Sequence, residues 1–268
     1  MTTSVVFIHG LWIHSVSWRL WQELFEKRGY HTLAPDWPGD GRTVAATRAE
    51  PGRLLDVGVD DITDSYAQVL KDLPDAPIVV GHSFGGLIAQ KLLDRGLAAG
   101  AVCISPAPIK GVRAVPLSLL RSSFPVLRSP ANKRRAVSLT ERQFAYSFGN
   151  AISSQESEEL YNELTIPSPG RPLFEASTAN FRRTSPTAVD TRRGDRGPLL
   201  LVAAGQDHTV PAVVVRGAHQ LYARAGVSTE LRTYEDRGHS APFDHGWIEL
   251  AQDTLDWLDE HGLRGRLM

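Results

Sequence analysis

Cysteine is almost missing. Cys103 is the single one in 268 residues, so no disulfide can form within the chain and a disulfide-stapled scaffold is excluded. Long apolar runs are missing too: none reaches the ~18 residues that a membrane-crossing helix needs. No basic segment leading into an apolar stretch opens the chain, so no secretory signal is expected, and the expected location is the cytoplasm. Neither sign of charge is in excess, with 29 Lys and Arg against 30 Asp and Glu. That balance supplies no global basic field for nucleic acid, and none is expected as a partner. No grouping of His, Cys, Asp and Glu has metal-ligand spacing, and no internal repeat or low-complexity tract occurs. No metal or other cofactor is expected, and nothing in the sequence fixes an oligomeric state.

Hydrophobic residues make up 42% of the chain, enough for one large core. Short apolar runs bounded by turn residues predict strands at 3–9, 30–34, 77–82, 100–105, 198–204 and 227–234. Several are continuous rather than alternating, as strands covered on both faces are. Between them lie helical stripes. Trp18, Trp21, Leu24 and Phe25 mark one over 17–28; Ile62, Tyr66, Val69, Leu70 and Leu73 mark 59–73. Leu87, Ile88, Leu92 and Leu93 mark 85–95, and Ile248, Ala251, Leu255 and Leu258 mark 247–260. Strand alternating with helix predicts an α/β fold with a mostly parallel sheet of about six strands flanked by helices. The rhythm fails between 106 and 190, where nine prolines and helix-like pieces at 140–148 and 154–164 stand without a buried strand. That is too long for a structureless loop, and an inserted helical cap is expected there. The core would then be 1–105 with 191–268.

The stretch Gly81-His82-Ser83-Phe84-Gly85-Gly86 follows a predicted strand and opens a predicted helix. A serine hydroxyl is a poor nucleophile unless a base reaches it and donors await the oxyanion it creates. A sharp strand-to-helix turn exposes such a serine, and crowding requires small residues two before and two after it. Gly81 and Gly85 meet that requirement. A bare glycine-rich turn is the plain alternative. Asp207 follows the strand at 198–204, where it either orients a base or closes an Asx-turn. His239 follows the strand at 227–234, as a base or as a surface or helix-capping residue. Each plain reading stands for one residue alone. Together Ser83, Asp207 and His239 come in the chain order of one class of serine hydrolase, each beyond a different strand. At the end of the first strand, His9-Gly10 must turn. The backbone N–H groups of Leu11 and Phe84 are the candidate oxyanion donors, with His9 a structural hydrogen-bonder.

These motifs resemble the α/β-hydrolase superfamily in its serine branch. The resemblance spans the His9-Gly10 turn, "PDWPGDGR", "GHSFGG", "GQDHTVP", "RGHS" and the final amphipathic helix. It implies a catalytic triad of Ser83, Asp207 and His239, with a cap at 106–190. The chain starts directly with the strand bearing the His-Gly turn, which is similar to the compact esterase and hydroxynitrile-lyase group. Serine in place of aspartate at 83 argues against epoxide hydrolase and haloalkane dehalogenase activity. The expected function is hydrolysis of carboxylic esters, lactones or thioesters through an acyl-enzyme, with a small-molecule substrate. Alternatives are a cofactor-free lyase or haloperoxidase-like enzyme with the same triad, and a non-catalytic ligand-binding protein.

Trp12 and His14 follow the oxyanion turn and are candidates for the pocket mouth, with core packing as the alternative for Trp12. Phe144 and Phe148 are candidates for an apolar lid, with the interior of the cap as the alternative. His245 is the second candidate base and His208 a weaker one. Residues 106–196 hold fourteen Lys and Arg against eight Asp and Glu, read either as a solvated cap face or as a site for an anionic substrate.

Overall fold

The computed structural model describes residues 3–223 and 226–266. Six parallel strands form the main sheet: β1 (Ser4–Ile8), β2 (His31–Leu33), β3 (Ile78–His82), β4 (Gly100–Ile104), β7 (Leu199–Ala204) and β8 (Thr229–Tyr234), in the order β2-β1-β3-β4-β7-β8. Every residue of β1, β3, β4 and β7 is buried, which is why their sequences read as unbroken apolar runs. Alternate side chains serve two cores. Val5, Phe7, Ile78, Val80, Val102 and Leu200 meet Trp18, Trp21, Phe25 and Trp257 on one face. Those aromatic residues belong to α1 (Arg19–Lys27), its preceding turn and α10 (Trp247–Glu260). Val6, Ile8, Val79, Cys103 and Leu201 meet the helices of the other face. These are α3 (Val59–Lys71), α4 (Phe84–Asp94) and α9 (Ala212–Tyr222). A short α2 (Val44–Ala49) lies between β2 and α3.

Strand order reverses direction between β1 and β3, whose carboxyl ends lie side by side. Loops leaving the two strands diverge there and open a crevice, the place where open α/β sheets take ligands. Between β4 and β7 the insertion supplies α5 (Leu117–Leu127), α6 (Glu141–Ser147), α7 (Ser154–Leu164) and α8 (Arg171–Ser177). It also contains a small antiparallel pair, β5 (Ala136–Val137) with β6 (Ser168–Pro169). Strands of two residues, one of them proline, leave no periodic signal.

Candidate active site

Ser83 sits between β3 and α4 with φ 55° and ψ −120°, a left-handed backbone that a non-glycine residue adopts only when its surroundings hold it. Its N–H donates to the Ile104 carbonyl of β4 at 3.0 Å, and its carbonyl accepts from the N–H groups of Gly86, Leu87 and Ala107. Glycine is required on both sides. A Cβ on Gly81 would overlap the Gly85 carbonyl, and one on Gly85 would overlap the carbonyl oxygens of Ile8 and His9. The turn is therefore clamped between the ends of β1 and β4.

His239 lies in the loop after β8 and is fully buried. Its Nδ1 stands 2.6 Å from Oδ2 of Asp207, which lies in the loop after β7. A carboxylate only accepts, so Nδ1 carries the proton and Nε2 keeps its lone pair. Nε2 has no hydrogen-bond partner among the described residues. Oδ1 of Asp207 accepts from the N–H groups of Thr209 and Val210 at 2.7 Å each, which fixes the carboxylate plane. The His239 ring touches two others: His82 at 4.5 Å between centroids and the edge of Phe148 at 4.8 Å. His82 adjoins Ser83 in the chain, so this contact brings the base loop to the elbow. Burial, and then the neighbouring His239, hold the His82 pKa well below the usual imidazole range. His82 is thus a neutral ring packed against His239.

The third loop follows β1. A Cβ on Gly10 would lie 2.8 Å from Cβ of Ser83, so the turn presses directly on the serine. His9 Nδ1–H donates to the Gly10 carbonyl at 3.0 Å, and its ring stacks on Trp37 at 4.8 Å. Its Nε2 faces Asp40 at 3.4 Å. Trp12 has φ 66°, and its N–H donates to Ser168 Oγ of β6 at 2.6 Å while its indole N–H reaches the Val137 carbonyl of β5 at 3.0 Å. The small sheet that the sequence hid thus grips the loop. The N–H of Leu11 has no hydrogen-bond partner among the described residues. That of Phe84 opens α4, where first-turn N–H groups have no intrahelical acceptor.

Ser83, Phe84 and Trp12 line a cavity of about 410 Å³. Its walls come mostly from the insertion, through Ile109, Val112, Leu119, Leu127, Leu173 and Ala176. Of the four residues expected to line the pocket, Trp12 does so and the other three face elsewhere. His14 is buried, donates to the Gly41 carbonyl from Nε2 at 2.9 Å and caps the following turn through Nδ1. Phe144 and Phe148, one helical turn apart, stack face to face at 5.0 Å; Phe144 packs on Tyr161 within the insertion, and Phe148 packs between the insertion and the His239 ring. His245 pairs with Glu156 at an exposed position, and His208 bonds the Tyr146 carbonyl, so neither is placed as a base. Sequence reading missed the brace of the His239 loop. Ser240 donates to Asp244 at 2.7 Å, Gly246 N–H donates to the same carboxylate at 2.9 Å, and Arg237 pairs with Asp244 and Glu249. The cluster of charges in "EDRGHSAPFDHGW" was its only trace. No group of three or more metal-ligating side chains occurs among the described residues.

A protein-family model described as the alpha/beta hydrolase family matches residues 5–253. Among solved structures, a methylesterase from Arabidopsis superposes with TM-score 0.65 at 17% identity, covering 96% of this chain and 99% of that one. The monoacylglycerol lipase of Paleococcus ferrophilus gives 0.66 at 20%, covering 96% and 94%. Tomato methylketone synthase I, complexed with 2-tridecanone, gives 0.69 at 15%, covering 97% and 99%. No curated protein matches the chain.

Proposed function

The chain belongs to the alpha/beta hydrolase family, and from that premise we propose that it is a serine hydrolase of carboxylic esters, lactones and thioesters included, working through an acyl-enzyme on Ser83. One observation carries this reading: a fully buried His239 is fixed by Asp207 at 2.6 Å with its second nitrogen unpartnered, and its ring lies against the residue preceding Ser83. In this mechanism Nε2 of His239 takes the Ser83 proton as Oγ attacks the acyl carbonyl. Asp207 keeps Nδ1 protonated and stabilises the imidazolium. The carbonyl oxygen becomes an oxyanion held by the N–H groups of Leu11 and Phe84, and losing one such donor costs about 3 kcal/mol of barrier. His239 returns its proton to the leaving alcohol. Water, deprotonated by the same nitrogen, then attacks the acyl carbon and frees Ser83.

Ester chemistry is favoured by two of the structural neighbours, a methylesterase and a monoacylglycerol lipase. The cavity volume and its aliphatic walls suit a substrate of modest size with an apolar portion.

The test is a panel of p-nitrophenyl esters, lactones and acyl thioesters, run with wild type and Ser83→Ala, beside a fluorophosphonate label read by mass spectrometry. Wild type should turn over at least one class and take one label, and Ser83→Ala should lose at least about a thousandfold of kcat and all of the label. Turnover surviving in Ser83→Ala, or wild type with neither label nor ester turnover, would replace this reading with acid–base lyase chemistry or ligand binding.

A further inference from the structure

Helix α5 leaves a stripe of large apolar side chains facing water. Leu117, Leu120, Arg121, Phe124 and Arg128 follow one another at helical spacing and all face solvent, with Leu117 84% and Phe124 61% exposed. Its opposite face buries Ser122 and Ser123 together with Pro125 and Val126, with Ser122 Oγ donating to the His208 carbonyl. Phe181, 89% exposed, and Val115 continue the apolar surface outside the helix. Five of the ten exposed large apolar side chains of the described residues therefore belong to this one region. Val115, Leu120 and Phe181 also line the cavity that holds Ser83, so the apolar surface rings its mouth.

The same region has a single charge sign. Residues 106–140 contain seven Lys or Arg and no Asp or Glu; residues 176–189 add Arg182 and Arg183 and again no acid. Arg113, Arg121, Arg128, Arg182 and Arg183 are all exposed, and Arg113 stands in the cavity lining itself. In a chain of net charge −1 this is a local field, not a global one. Two copies meeting through this face would set like charges against each other, which disfavours a self-interface.

We propose that this face docks on an anionic lipid surface. The basic side chains draw it to acidic headgroups, and Leu117, Phe124 and Phe181 enter the boundary between headgroup and chain. Neither signal suffices alone: three apolar side chains give weak attachment, and the charges give none to a neutral bilayer. Docked in this way, the cavity mouth opens toward the lipid rather than toward water. The inference goes beyond the hydrolase reading and does not rest on it, because attachment is measured without turnover.

Co-sedimentation with vesicles tests it, using phosphatidylcholine alone and phosphatidylcholine with about a third phosphatidylglycerol. Wild type should bind the anionic vesicles and not the neutral ones, with binding weakened about tenfold when salt rises from ~0.05 to ~0.5 M. The double variant Leu117→Ser with Phe124→Ser should lose about tenfold of partition on the anionic vesicles. Both side chains are exposed and neither lines the cavity, so its unfolding temperature and its turnover of a soluble ester should match wild type. Arg128→Glu should weaken anionic binding in the same direction. Absence of vesicle binding, equal binding by wild type and the double variant, or a concentration-dependent mass that the double variant abolishes while vesicles bind nothing would overturn the proposal.

Discussion

On the sheet side of Ser83 backbone is packed against backbone; on the inserted side, side chain is packed against side chain. Gly10, Gly81 and Gly85 bring the ends of β1, β3 and α4 so close that one added carbon at any of them meets the end of β1, the first turn of α4 or the serine itself. The cavity walls of the insertion are aliphatic side chains that end in open space. The difference teaches where change is tolerated. Positions of Ser83, Leu11 and Phe84 are set by main chain and leave no freedom, whereas the volume offered to a substrate is set by side chains that can be exchanged without moving the serine.

The largest expected effect attacks the rigid side. Gly85→Ala places its methyl group on the carbonyls of Ile8 and His9. β1 cannot retreat, because it is hydrogen-bonded on both edges, so about 3 kcal/mol or more of stability should be lost, read from denaturant unfolding. A variant of wild-type stability would break the comparison at its root. A smaller effect is expected on the other side. Ala176→Phe projects an aromatic ring from α8 into the cavity. Long-chain p-nitrophenyl esters should lose about tenfold in kcat/KM, a difference near 1.4 kcal/mol, while the acetyl ester and the unfolding temperature change little. If stability fell as far as in Gly85→Ala, the inserted wall would be as unforgiving as the sheet.

The same contrast decides what could be read from sequence. Four of the six strands of the sheet were legible because they are buried on both faces, and burial of that kind writes itself as an apolar run. Gly81 and Gly85 were legible because only glycine satisfies the crowding. Where side chains decide, the sequence was ambiguous. The run Val213-Val214-Val215 is β-branched and argues against helix, yet it lies in α9, where Val214 and Val215 are buried against the sheet. Tertiary packing overrode propensity there. The aromatic residues of "FAYSF" fit a lid as well as a core, and only the fold turns Phe144 and Phe148 inward onto each other, with Phe148 against His239. The pairing of His9 with Asp40, 31 residues apart, leaves no spacing signal at all.

The smallest predicted effect lies on the rigid side, at His82, which belongs to β3 and packs against His239 and Phe243. Burial, reinforced by His239, keeps it neutral in the folded state, with its pKa well below the usual value. The unfolded chain restores an ordinary imidazole, which titrates near ~6.5. As pH falls through that value the unfolded state gains a proton that the folded state refuses, so folding stability drops with falling pH and is fully present above the unfolded pKa. Between pH 7 and pH 6 this one group should remove about 0.7 kcal/mol. His82→Gln has no such proton to gain. Its unfolding free energy will differ from wild type by an offset for altered packing, but its decline from pH 7 to 6 should be shallower by about that amount. Parallel stability curves for the two proteins would mean that His82 takes up a proton in the folded state. It would then be a positive charge beside His239 rather than the neutral ring that burial makes of it.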